Sequence, residues 1–410
     1  MDAVRAIAML LGIVLHASIS YKVSTRPSWP TDDVIHSIFY NYLYSFIHSF
    51  RMQLFFLIAG FFARLLYLRI GQRAFIGHRI KRIVIPFLFC LIIIPPLSMM
   101  PFIYYAYWLA HPQQTIFQIL PDILHYLYRW NGMVHLWFLY YLSIYYTIML
   151  IMITLDRKVG MIKWLEEIVH KIFLVFPRKQ TIVLLTVPIF IILCFIKELP
   201  IRSYTGFKPD IPLLIYYGFF FSLGYVIHHY YVNRLEVFKT NAFVLVIIGL
   251  LIVPLIDHLY MGQSNSSVLS FILIRGLFSL QTVALVFGLL GLAIRFLNSE
   301  NQTIRYISDA SYWMYLVHLP LIAGTQLWLI GSPVPPLLRF WVVNIVGMGI
   351  PLLTYALFVR YTIIGKMLNG PRMRKPRHNK TVGCELVVSS IGNRFRLPLQ
   401  KRFKGDNGQL

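Results

Sequence analysis

Negative charge is what this sequence has least of. Fifteen Asp and Glu residues stand against 38 Lys and Arg in 410 positions, and no acidic residue occurs between Asp33 and Asp122. Charged residues of both signs make up 13% of the chain, too few to clothe a soluble protein of this length. The mean hydropathy of +0.66 excludes that class as well. Cysteine is scarce too: Cys90, Cys194 and Cys384 are isolated, an odd set that supplies neither a disulfide framework nor metal-ligand spacing. There is no internal repeat and no pair of Gly/Pro-broken spans, the usual marks of an alternating-access transporter. Short-range alternation of apolar and polar positions is absent, which excludes a membrane β-barrel.

What the chain does have is long apolar runs, with 58% of its residues hydrophobic and 16% aromatic. In lipid each span must satisfy its own backbone polar groups, so the runs predict an all-α integral membrane protein, a polytopic bundle of about ten transmembrane helices. They fall near 3–21, 41–67, 81–104, 134–154, 180–197, 211–231, 242–260, 268–297, 307–330 and 337–361. Arg64, Arg69, Arg73, His78, Arg79, Lys81 and Arg82 crowd the connection after the second run. Arg157, Lys158, Lys163, Lys171, Arg178 and Lys179 enrich the one after the fourth, while connections on the other side are nearly neutral. The bias of Lys and Arg toward the cytoplasm puts both basic connections inside, and an even span count puts both termini there. The chain divides into a membrane domain, 1–361, and a basic cytoplasmic tail, 362–410. The tail is expected to be mostly disordered and to lie against anionic lipid headgroups. Much of the net charge of +23 is this bias plus the tail. No aromatic platform accompanies it, so nucleic acid is not an expected partner.

The first run, MDAVRAIAMLLGIVLHASISY, is interrupted by Arg5 and His16. Eleven residues at about 100° each return to nearly the same helix face, and at about 1.5 Å per residue His16 lies roughly 16 Å beyond Arg5. An ionisable group at mid-membrane depth marks a functional site, against the plainer reading of a snorkelling arginine and a histidine satisfied by its neighbours. Asp2, the mid-run histidine and the lack of a small-residue cleavage site predict a retained span rather than a signal peptide.

The later runs add further polar residues. His48 and Arg51 are three apart near the outer end of the second, where Gly60 permits close helix packing. Arg79 and Arg82, also three apart, offer forked donors that match phosphate oxygens, although anchoring at the inner face explains such a pair as well. The fourth run opens with His135 and Trp137, placing the tryptophan as a headgroup anchor at the outer interface. In the ninth, Ser311, Tyr315 and His318 line one face and bring His318 to the depth of His16. Arg275 in the eighth is expected to pair with Asp257.

Taken together and in order, Arg5 with His16, HSFRMQLFF, the Arg79/Arg82 pair, HLWFL at His135 and SYWMYLVHLP ending near His318 resemble the acyltransferase-3 family of bacterial membrane O-acyltransferases, over about residues 1–361. Two positions depart from the common pattern: Met1 stands where Leu is usual, and FFLIAG carries Ala59 where many relatives have Ser. The resemblance implies an inner-membrane enzyme that takes an acyl group from cytoplasmic acyl-CoA, its co-substrate, and gives it to a hydroxyl of an extracytoplasmic glycan. It implies no metal and no tightly bound cofactor. For the glucan-modifying branch the acyl group would be succinyl and the acceptor a periplasmic glucan; acetyl and other short chains stay open. By the same resemblance Arg5 and His16 are the essential first-span pair, and Arg79 and Arg82 the pair linked to CoA. Burial favours a neutral imidazole, the form that accepts a proton, so His16 is expected to deprotonate the acceptor hydroxyl as it attacks the thioester. His318 and Tyr315, with Ser311, His48, Arg51 and His135, are candidates to hold the acceptor or the developing oxyanion. An acyl-histidine intermediate is the other chemical route. A transporter or flippase using the same polar path is the competing class.

Overall fold

The computed structural model describes residues 2–23, 29–31, 36–129, 132–159, 184–201, 205–231, 238–261, 267–297 and 302–370. Every regular element among them is helical: α1 (Asp2–Ser18), α2 (Ile38–Arg79), α3 (Ile85–Ala110), α4 (Ile116–Tyr128), α5 (Trp137–Val159), α6 (Thr186–Cys194), α7 (Ile211–Tyr231), α8 (Ala242–Met261), α9 (Val268–Phe296), α10 (Gln302–Leu329), α11 (Pro336–Thr354) and α12 (Ile363–Asn369). Seven stretches among the described residues are long and apolar enough to cross a membrane: Ala3–Tyr21, Ile38–Ala110, Val134–Asp156, Ile211–Tyr230, Ala242–Tyr260, Val268–Phe296 and Leu337–Val359. Large apolar side chains point away from the protein along these helices, with Ile92 76% and Leu269 75% exposed. Such an exterior needs hydrocarbon around it, and the chain is a multi-pass membrane protein.

The difference from the expected runs has three sources. Ile38–Ala110 is one helical stretch of 73 residues that contains both 41–67 and 81–104. The expected ninth run lies in α10, whose polar residues lower its hydropathy. Of 180–197, only α6 is a described α-helix, and 180–183 lies outside the described residues. The basic connection after the second run is therefore helical rather than a loop, since Arg, Lys and Gln are good helix formers. It is broken at one point. Gly71 has φ +76° and ψ 171°, a region that essentially only glycine occupies, so α2 consists of two pieces at an angle. The second piece carries His78 and Arg79 into a π-helical turn, Ile80–Val84, that leads to α3.

Residues 160–183 and 371–410 lie outside the described set, and with them Lys163, Lys171, Arg178, Lys179 and nearly all of the basic tail. Residues 363–369, assigned from sequence to the tail, are helical.

Helix α4 was not foreseen. Thr115 and Gln118 form a capping box at its start, with Thr115 N donating to Gln118 Oε1 at 2.8 Å. Ile119 and Ile123 pack on Ile103 of α3 while Phe117 and Tyr128 stay exposed, the two-faced pattern of a helix lying along a membrane surface.

Inside the bundle, α2 and α7 approach closely. A Cβ on Gly60 would meet the carbonyl oxygen of Phe221, so the spacing expected from the sequence at Gly60 is real. The obstruction is backbone and cannot rotate away. Gly60→Ala is expected to destabilise the protein by about 1–3 kcal/mol, read as a lowered unfolding midpoint in detergent.

Arg275 does not pair with Asp257. Its Nε donates to the Leu193 carbonyl at 2.9 Å and Nη2 to the Ile196 carbonyl at 2.8 Å, satisfying the C-terminal end of α6. Asp257 instead accepts from Ser45 Oγ at 2.9 Å.

Helix α1 packs against α2, α10 and α11, and side chains bind it to α10 at both ends. Arg5 Nη2 donates to Ser308 Oγ at 3.1 Å. Gln326 Nε2 donates to the Ala17 carbonyl at 3.0 Å and lies 3.3 Å from that of His16. Two such ties fix the register between the helices that carry His16 and His318.

Candidate active site

Between α1, α2, α5 and α10 lies a cavity of about 560 Å³. Arg5, His16, Arg51, Arg79, Arg82, His135, Ser311, Tyr315 and His318 all line it, so every candidate site residue from the sequence except His48 meets in one space. His48 stacks on Tyr44 with ring centroids 5.2 Å apart. Three residues on a helix leave about 60° between side chains, enough for Arg51 to face the cavity and His48 to miss it.

Three imidazoles form the middle of the cavity. The His16 and His318 rings have centroids 5.4 Å apart, and those of His318 and His135 5.3 Å. His318 Nδ1 sits 2.8 Å from the Tyr315 carbonyl and 3.1 Å from that of Met314, so this nitrogen is the donor and Nε2 is left as the acceptor. His135 Nε2 lies 3.1 Å from the Leu316 carbonyl, which fixes its tautomer in the same way.

The turn that carries His135 is unusual. Val134, a β-branched residue, has φ +48°, a left-handed conformation that such side chains rarely adopt. The conformation is held from several sides: Met133 N donates to the Thr205 carbonyl at 2.7 Å and Tyr315 Oη to the His135 carbonyl at 2.5 Å. The turn therefore folds inward. Trp137, read from sequence as a headgroup anchor, is 5% exposed and packs on Tyr141 and Tyr217.

Two of the sequence-derived candidates spend their hydroxyls on backbone. Tyr315 clamps the His135 carbonyl, and Ser311 Oγ donates to the Ser308 carbonyl at 2.6 Å. Neither hydroxyl proton is directed at a reacting oxygen. Arg51 is differently placed. Among the described residues its guanidinium donates only to Met52 Sδ, at 3.6 Å. It fits against α1 at Gly12, where a Cβ would collide with Nη1. A half-buried cation with no carboxylate beside it among the described residues favours negative charge in the space it faces.

The cationic end of the cavity is built by Arg79 and Arg82 with Arg5, and His78 lines the same wall. The Arg79 guanidinium lies 4.4 Å from the Tyr146 ring centroid and 4.9 Å from that of Phe75. Aromatic stacking of this kind leaves the N–H edge for oxygen ligands.

The sequence reading missed Trp29 and Gln326. Trp29 stacks nearly parallel on His16, with centroids 5.8 Å apart and an interplanar angle of 5°. Its indole Nε1 donates to Gln326 Oε1 at 2.9 Å. Gln326 thus holds both the end of α1 and the ring that covers His16. A glutamine in an apolar helix was the available signal; the loop position of Trp29 carried none.

An imidazole cluster enclosed in a helical membrane bundle, with arginines gathered at one end, suits group transfer within a membrane. Residues 1–356 match the family described as "Acyltransferase domain", and the chain belongs to that family: it is a membrane acyltransferase rather than a transporter. Its relatives include Glucans biosynthesis protein C of Escherichia coli strain SMS-3-5 / SECEC and that of strain K12, each 26% identical over 400 residues, 93% of this chain and 96% of the relative. No solved structure matches the chain.

Proposed function

We propose that the protein moves a short acyl group, succinyl or acetyl, from cytoplasmic acyl-CoA to a hydroxyl of an extracytoplasmic glycan such as a periplasmic glucan, working in a bacterial inner membrane. Ten spans with both termini in the cytoplasm give the matching orientation, the Arg79/Arg82 end facing inward and Trp29 outward. The observation that carries this reading is that one cavity is lined both by the paired arginines and by His16. A donor with phosphates at one end and a thioester at the other fits such a space. The relatives' name supplies the glucan.

The chemistry follows from the residues. Arg79 and Arg82 hold the CoA phosphates through forked N–H donors. The pantetheine arm extends inward and sets the thioester beside His16 and His318. His16 takes the proton of the acceptor hydroxyl as its oxygen bonds to the thioester carbon. The carbon–sulfur bond breaks, and the proton passes to the departing thiolate to give free CoA. Arg51 offsets the negative charge on the carbonyl oxygen in the transition state. Arg5, tied to Ser308, holds α1 so that His16 stays in the cavity.

The test is direct. Purified protein incubated with succinyl-CoA or acetyl-CoA and a glucan acceptor is expected to release free CoA thiol in equal amount to glucan ester, followed by thiol titration and mass spectrometry. A thioester that stays intact with every acyl-CoA offered would remove the reading.

A further inference from the structure

The family match ends at residue 356, yet part of the cavity wall beside Arg82 comes from beyond it. Leu368 and Asn369, at the end of α12, line the cavity, and Leu368 is buried. Asn369 Nδ2 donates to the Asp309 carbonyl at 2.7 Å, which ties α12 to α10. The same nitrogen lies 3.4 Å from Tyr355 Oη, in the π-helical segment Tyr355–Val359 that follows α11.

The next residue, Gly370, has φ +88° and ψ 172°, again a conformation that essentially requires glycine. The guanidinium of Arg82 fills the place where a Cβ on Gly370 would sit. On its other side, the Arg82 carbonyl accepts from Tyr312 Oη at 3.3 Å. Arg82 is thus held between α10 and the segment after α11, and the segment is itself fastened to α10 by Asn369.

We infer that Asn369 and Gly370 are positioning residues for the donor: they aim the Arg82 guanidinium into the cavity, where it takes a phosphate of the CoA portion. This rests on the reading of Arg79 and Arg82 as the phosphate-binding end. Gly370 acts by lacking a side chain, so that the guanidinium can lie against the backbone. Asn369 acts by keeping α12 docked. Neither touches the reacting atoms.

The experiment compares two donors in the full-length protein: an acyl-CoA, and the same acyl group on N-acetylcysteamine, a thioester without phosphates. Gly370→Ala and Asn369→Ala are each expected to raise the KM for acyl-CoA about tenfold, the weight of one charge-assisted hydrogen bond, as Arg82→Ala does. The KM for the phosphate-free thioester should shift far less, so the ratio of the two changes. Asn369→Ala changes a residue with helical backbone, where alanine fits without strain, and carries the test should Gly370→Ala not fold. Equal KM increases for both donors in the two variants would overturn the inference and leave α12 a structural brace. So would an unchanged acyl-CoA KM in both, provided Arg82→Ala raises it. If Arg82→Ala itself alters neither KM, the phosphate reading falls and this inference with it.

Discussion

His16→Ala is expected to lower acyl transfer by about 10²–10⁴-fold, the span typical for loss of a general base. The loss should appear in kcat, because the arginines that hold the donor are untouched. Folding should survive. The ties that set α1 against α10 run through Arg5 to Ser308 and from Gln326 to backbone carbonyls of α1, and neither uses the imidazole. The unfolding midpoint in detergent and retained binding of CoA check that point. A variant that keeps wild-type kcat would reduce His16 to a packing partner of Trp29. The same variant bears on the chemical route. If an acyl-histidine forms, wild-type protein mixed with acyl-CoA and no acceptor releases one equivalent of CoA thiol, and His16→Ala releases none. Direct transfer gives no such burst in either protein.

Arg51→Met is expected to lower kcat by about 10²–10³-fold, the usual cost of removing one group that stabilises an oxyanion. Methionine keeps the apolar stem while removing the guanidinium that packs at Gly12 and, with it, every donor. The effect should be the same with succinyl-CoA and acetyl-CoA, because the oxygen being stabilised belongs to the thioester in both. A loss confined to succinyl-CoA would assign the guanidinium to the distal carboxylate of the acyl group, as a selectivity residue. Measuring both donors with one variant separates the two roles.

Much of this site was legible in the sequence because helix periodicity carries over distances within one element. Arg5 and His16 share a face by spacing alone, and the depth of His318 follows from its place in its own run. Their meeting, with ring centroids 5.4 Å apart, needed no unusual backbone. What escaped was set by contacts between elements. His48 and Arg51 sit on one helix face, but which of them meets the cavity depends on where α1 lies. Trp29 comes from a loop and reaches Gln326 across nearly 300 residues. The inward fold of His135 and Trp137 depends on the left-handed Val134, which no propensity would place there. The basic stretch around Gly71 falls between two expected runs because its charges interrupt the apolar pattern; arginine and lysine tolerate helix well, and within α2 only the glycine leaves the helical backbone.

The most direct test is an experimental structure of the protein in a lipid disc with CoA bound. The phosphates should lie on Arg79 and Arg82, and the thiol should lie within one hydroxyl's reach of His16, with Arg51 and His318 around it. CoA held on another face, or an arm that stops short of the imidazoles with His16 turned to lipid, would contradict the central claim.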